Sequence, residues 1–147
     1  MKLEFFVAGI PVPKGSAKSF WNKNANKIVT MQDNREKQRP WASAISYAAQ
    51  QAGCRPVAGP VAVALWFNFP RPQSHFGTGK KRNVLKASAP SDHITKPDLD
   101  KLTRCVLDAL TGIVYRDDSQ VSQFLSIGKY YAGLGEAPGA RIAIYYD

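Results

Sequence analysis

Apolar and polar positions alternate from the first residues onward. Leu3, Phe5 and Val7 fall on one side of an extended chain and Glu4, Phe6 and Ala8 on the other, which predicts a strand. Gly9-Ile10-Pro11-Val12-Pro13 stops it, and Pro13-Lys14-Gly15-Ser16-Ala17-Lys18 reads as a basic loop. Lys27-Ile28-Val29-Thr30-Met31 predicts a second, short strand. A helix is expected between Asp33 or Asn34 and Gly53. Its best run, Trp41 to Gln51, is rich in alanine, and Pro40 must sit near the first turn or kink the helix.

Val61 to Phe69 is the strongest strand. Val61, Val63, Leu65, Phe67 and Phe69 share one face, and Ala62, Ala64 and Trp66 make the other apolar too, so this strand is expected at the centre of a sheet. Pro70 ends it. The stretch from Arg71 to Lys96 holds six bases and one acid, with Gly, Ser, Pro and Asn scattered through it. Such a loop without a core pattern is expected to be flexible and to order on a polyanion.

From about Asp98 to Thr111, Leu99, Leu102, Val106, Ala109, Leu110 and Ile113 follow the spacing of a buried helical stripe. Asp100, Arg104 and Asp108 line the other side, where Asp108 is expected to be solvated and paired with Arg104. Two more strands are expected near Val121–Tyr131 and Ala140–Tyr146. The predicted order is β-β-α-β-α-β-β. The fold class is α+β, a mixed β-sheet of about five strands packed against two main helices, with residues 1–147 forming one domain.

Charge changes the picture. The chain of 147 residues carries 20 Lys+Arg against 11 Asp+Glu, formally +9. Residues 1–97 carry 15 of the bases and only 4 acids, whereas residues 98–147 carry 5 bases and 7 acids. A pI near 9.7 points to nucleic acid or an anionic membrane surface as partner. No apolar run approaches the roughly 18 residues that span a bilayer, and the N-terminus lacks a long signal core, so a cytoplasmic protein without a membrane partner is expected. Cys54 and Cys105 are too few and too far apart for a metal-ligand motif and read as small buried hydrophobes.

Five of the eleven acids (Asp98, Asp100, Asp108, Asp117 and Asp118) lie between 98 and 118. A carboxylate pocket in a basic protein suits a hard cation such as Mg²⁺, which takes the rest of its shell from water and phosphate. On a regular helix Asp98 and Asp100 point about 200° apart. They can share a cation only if Asp98 sits at or before the helix start. Asp117 or Asp118 could add a third carboxylate from a strand edge. Each acid also has a plainer reading. Asp98 alone suits an N-cap, Asp117-Asp118 alone a turn, and His75 and His93 are loop residues, with His93 held in reserve as a ligand.

Lys96-Pro97-Asp98-Leu99-Asp100, a basic residue four positions on, Leu107-Asp108-Ala109-Leu110, and then Asp117-Asp118-Ser119-Gln120-Val121 strongly resemble the RusA family of Holliday junction resolvases. The opening Gly9-Ile10-Pro11-Val12-Pro13-Lys14-Gly15 resembles that family's start. These are compact endonucleases of phages and prophages. The resemblance implies a homodimeric, Mg²⁺-dependent endodeoxyribonuclease, with Mn²⁺ as a possible substitute, that nicks four-way DNA junctions symmetrically. It implies that Asp98, Asp100 and Asp118 are catalytic metal ligands and that the family's helical lysine falls on Arg104. Two departures leave open whether Lys101, where the family has Asn, or Arg104 does that lysine's work. Asp117 is the fallback third ligand. Lys14, Lys18, Lys80, Lys81, Arg82, Lys96 and Lys101 are expected to hold DNA phosphates. The rival readings are a non-catalytic junction-binding protein and a metal phosphohydrolase of small phosphoesters. The second leaves the basic residues of the N-terminal two-thirds unused.

Overall fold

The structure is a computed structural model that describes every residue except Ser16 and Asp33, and leaves aside the side chains of residues 17, 18, 31 and 32. The expectations placed on Ser16, on Asp33 as a helix start and on the Lys18 side chain fall outside the described residues. Six strands and two helices follow in the order β1 (Lys2–Ala8), β2 (Ala17–Asn22), β3 (Lys27–Gln32), α1 (Arg35–Gln51), β4 (Val61–Phe69), α2 (Leu99–Leu110), β5 (Val121–Tyr131) and β6 (Gly139–Tyr145). The class is α+β. The strands form a four-stranded sheet of order β1-β6-β4-β5 and a separate two-stranded ribbon of β2 and β3, where one sheet of about five strands was expected. The difference is β2, which reads as loop because lysine and small polar residues interrupt its apolar pattern. It is a strand because it pairs with β3 from Ala17↔Gln32 to Asn22↔Lys27.

The doubly apolar β4 is central, between β6 on one side and β5 on the other. It runs antiparallel to β6 but parallel to β5. A parallel pair needs a long crossover, and here the 70–98 segment together with α2 supplies it. That route leaves β5 as the sheet's edge. Phe5 and Val7 of β1, the odd-numbered face of β4, and Ala140, Ile142 and Ile144 of β6 are buried with Trp41, Ile45 and Ala49 of α1 and Leu102, Cys105, Val106 and Leu110 of α2. Pro40 lies inside α1 at its sixth residue, and the helix continues through it. Gly53, at φ 88°, takes the left-handed position after the last turn, where a side chain would be strained.

The basic segment after β4 carries its own hydrogen bonds and short 3₁₀ turns at Gln73–His75 and Gly79–Lys81. Arg71 anchors its start: Nε donates to the Ala132 carbonyl at 2.9 Å and a terminal nitrogen to the Pro90 carbonyl at 2.7 Å. Its end lies along β5, where the Tyr131 amide donates to Ser91 at 2.9 Å and the His93 amide to Lys129 at 3.2 Å. His93 is buried there, stacked on Phe69 with ring centroids 4.2 Å apart. Among the described residues no helix is long and apolar enough to cross a membrane.

Candidate active site and nucleic-acid interface

The start of α2 carries the first two acids. Asp98 occupies the N-cap position with extended dihedrals, φ −70° and ψ 141°, after a cis Lys96–Pro97 peptide. Its carbonyl accepts the first helical bond, from the Leu102 amide at 3.1 Å. Its carboxylate does not cap the helix. An Asp at this position ordinarily spends its side chain on the N2 or N3 amide. Here the carboxylate is left exposed, and among the described residues neither it nor Asp100 makes a hydrogen bond or ion pair.

Asp98 lines a cleft of about 310 Å³ with Pro13, Lys14, Gly15, Asn34, Lys96, Pro97 and Lys101. Three of the seven basic residues predicted to hold phosphate thus converge beside one of the predicted carboxylates. The N-terminal loop is pinned there from both sides. The Lys14 amide donates to the Lys101 carbonyl at 3.0 Å, and Lys14 Nζ meets Asp108 Oδ2 at 2.6 Å. This corrects the expected pairing of Asp108 with Arg104: the N-terminal loop lies over α2 and delivers a cation closer than the i−4 neighbour. Asn34 Nδ2 donates to the Pro13 carbonyl at 3.3 Å, and the Gly15 amide to Gln38 Oε1 at 3.2 Å.

A cation from β5 props the same site from behind. Lys129 Nζ donates to the carbonyls of Thr95 at 2.5 Å and Pro97 at 2.7 Å, the two residues that lead into Asp98. Lys129 carried no signal in the sequence, being one lysine in a mixed strand. Lys80, Lys81 and Arg82 are exposed on the 3₁₀ turn of the basic segment and do not line the cleft.

Asp100 does not line that cleft. It lines an apolar groove of about 470 Å³ between α2 and β5 with Leu99, Thr103, Arg104, Leu107, Phe124 and Ile127. Arg104 stands one turn from Asp100 in that groove.

Asp117 and Asp118 belong to the turn that follows α2. Asp117 caps the 3₁₀ turn Asp118–Gln120: its carboxylate accepts from the Ser119 amide at 2.8 Å, which holds its pKa below the usual carboxylate range. Gln120 closes this capping box and does more. Its Oε1 accepts from the amides of Arg116 (2.8 Å) and Asp117 (3.1 Å), and its Nε2 donates to the carbonyls of Val57 (2.8 Å) and Gly59 (3.0 Å). The turn is thereby bolted to the chain entering β4, and Gln120 is the positioning residue behind Asp118. Its signal lay in the Asp-Asp-x-Gln spacing, a capping-box pattern.

Asp118 itself is exposed. Beneath it Tyr115 is fully buried and donates to the Leu107 carbonyl at 2.6 Å, and burial reinforced by Asp118 pushes its phenol pKa up. Asp118 thus sits on a turn packed against α2 near Tyr115 and Leu107, whereas Asp98 is at the helix start. Among the described residues no group of three or more His, Cys, Asp or Glu comes together to hold a metal. Within one chain Asp98 and Asp100 belong to the start of α2 and Asp118 to the turn that follows it. His93, held in reserve as a ligand, is occupied by Phe69 and Tyr131, with Nε2 3.3 Å from the Thr95 hydroxyl. Both cysteines are buried, and burial pushes the Cys105 thiol up to about 11, out of range of thiolate chemistry at neutral pH.

A mixed sheet whose crossover helix begins with an uncapped carboxylate beside a lysine-lined cleft suits the binding of phosphodiesters. Residues 11–145 match the family described as Endodeoxyribonuclease RusA, and the chain belongs to that family of Holliday-junction-resolving endodeoxyribonucleases. It is also similar to the uncharacterized protein YqaN of Bacillus subtilis (strain 168), 30% identical over 145 residues that cover 97% of this chain and 94% of that protein.

Proposed function

We propose that the protein is a Mg²⁺-dependent endodeoxyribonuclease that resolves four-way DNA junctions by paired symmetric nicks, and that it works as a homodimer. The observation that carries this reading is the juxtaposition of an uncapped Asp98 with Lys14, Lys96 and Lys101 in one cleft. The lysines would bind the DNA backbone, and the carboxylates at the start of α2 would face the phosphate to be cut. Mg²⁺ fits this donor set, because it needs one or two carboxylates and fills the rest of its octahedron with water and phosphate. Asp98, in the cleft, is the residue of one chain that would hold it, and Asp100, exposed two positions on at the start of α2, would turn to join it. When bound it supplies water activation and charge neutralisation in the displacement. Arg104, one turn along from Asp100, is placed to contact the negative charge that builds on the phosphate.

The split of the acids supports the dimer. β5 is an edge strand with Phe124 and Leu125 about half exposed, and it borders the apolar groove that holds Asp100. Edges of this kind invite pairing with another chain. Ser91 and His93 take the Lys129–Tyr131 end of that edge, so the stretch from Val121 to Gly128 is the part left to pair. Two such strands set antiparallel about a two-fold axis near Phe124–Leu125 would bring Val121 of one beside Gly128 of the other. The Lys129 end of β5 is where Asp98 sits, so Asp118 of a second copy would arrive at the α2 start of the first. A four-way junction is itself close to two-fold symmetric, and two sites related by that axis suit paired nicks.

Complementation tests this arrangement. Asp100→Asn and Asp118→Asn, each inactive alone, should restore single nicks at up to a quarter of wild-type sites when mixed and re-equilibrated, since one of the two shared sites in a mixed dimer is then intact. Failure of the mixture to cut, with mixed dimers demonstrated by mass, would show that each site lies within one chain.

A further inference from the structure

Among the described residues the β2–β3 ribbon stands apart from the core. Its strands pair with each other and with no strand of the main sheet, and among the described residues none of its side chains joins the core. Yet it exposes large apolar groups: Trp21 at 55%, Ile28 at 68% and Phe20 at 46%. Trp21 and Ile28 are direct cross-strand partners, so they stand side by side on one face, and Phe20, opposite Val29, is on the other. An isolated two-stranded ribbon is marginal in water. This one is held by local polar bonds, Ser19 to Thr30 at 2.9 Å and, at its tip, Asn22 Oδ1 accepting from the amides of Asn24 and Ala25 at 2.9 and 3.1 Å.

Its charge has one sign. Residues 17–32 contain Lys18, Lys23 and Lys27 and no acid. Aromatic side chains interleaved with lysine are the composition that meets unpaired bases, the ring stacking on the base while the ammonium groups meet phosphate. The ribbon is also placed for it. Pro13, Lys14 and Gly15, which lead into β2, and Asn34, which follows β3, line the same cleft as Asp98. A six-residue strand reaches about 20 Å from that rim.

We propose that the β2–β3 ribbon inserts its Trp21–Ile28 face at the branch point of the DNA, stacking Trp21 on a base freed from its pair while the cleft at its foot holds the backbone. The ribbon then recognises branching, and the lysines hold any duplex. This rests on the branched-DNA reading above, and the experiment separates the two.

Binding is measured without divalent metal, so that nothing is cut, using a four-way junction with 2-aminopurine at the branch, a linear duplex of the same sequence, the wild type, Trp21→Phe and the double variant Trp21→Thr/Ile28→Thr. Threonine keeps the strand preference while removing the ring. Wild type and Trp21→Phe should change the 2-aminopurine emission on binding. The threonine variant should not, and should lose about tenfold in junction affinity while its duplex affinity stays within about twofold. A junction bound and, with Mg²⁺, cut by the wild type with no change in emission would overturn the ribbon's role and leave the resolvase reading standing. Equal losses on junction and duplex would overturn it too, and so would a change of oligomeric state in the threonine variant, which would make the face a protein interface. Failure of the wild type to prefer the junction over duplex would overturn both readings.

Discussion

The carboxylate of Asp98 is notable for what it leaves undone. At an N-cap, an Asp that accepts from the N2 or N3 amide stabilises its helix by about 1 kcal/mol. This one makes no such bond and remains open to the cleft. His93, five residues earlier, is the reverse case, a titratable ring put to structural use. Burial, helped by the charge of Lys129, lowers its pKa from its ordinary 6.5. The sign follows. Below 6.5 the unfolded chain binds a proton that the folded one refuses, so His93 costs stability progressively as pH falls through 6.5 toward its lower folded value, and costs nothing above 6.5. The urea midpoint should therefore drop between pH 7.5 and about 5, and His93→Gln should flatten that drop. An unchanged pH dependence in the variant would contradict the assignment.

At the scale of elements, the site is set by two fastenings, both from side chains rather than from sheet pairing. Gln120 holds the turn that carries Asp118, with four hydrogen bonds through one amide group. Gln120→Ala leaves backbone groups of Val57, Gly59, Arg116 and Asp117 without that partner and should cost roughly 1–3 kcal/mol by urea unfolding, with cleavage lost more than DNA binding. Lys129 holds the segment before Asp98. Lys129→Met keeps the length of the side chain and removes the donors, so junction affinity should stay within about threefold while the cleavage rate falls about tenfold or more. Equal losses in both would make Lys129 a DNA contact instead.

The long periodic elements were legible in the sequence because their stripes are. The odd positions of Val61–Phe69 and the heptad-like apolar set from Leu99 to Leu110 land in the core as expected. The β2 strand was not legible, since among its described side chains none joins the core and cross-strand pairing defines it. Nor was the separation of Asp98 from Asp118. Twenty residues apart in sequence, they sit at the helix start and on the turn after it, and only the route of the parallel crossover shows that β5 returns alongside α2. The Lys14–Asp108 pair was hidden for a similar reason: a contact between residues 94 apart has no local pattern.

For the whole molecule, charge and symmetry complete the account. The base-rich first two-thirds of the chain makes the ribbon and most of the cleft, and the acid-rich remainder makes α2, with Asp98 and Lys101 of the cleft, and the turn after it. Among the described residues of one chain no three acids gather, and the exposed stretch of an edge strand offers the route by which a second copy could complete the proposed site. The most direct measurement is cleavage of a mobile four-way junction by wild type and Asp100→Asn, each with Mg²⁺ and with EDTA. Paired nicks at symmetric positions, made by the wild type with Mg²⁺ alone and reduced at least about a hundredfold in the variant while junction binding persists, are the predicted result. Junction binding without cleavage under any divalent metal, or full cleavage by Asp100→Asn, would contradict it.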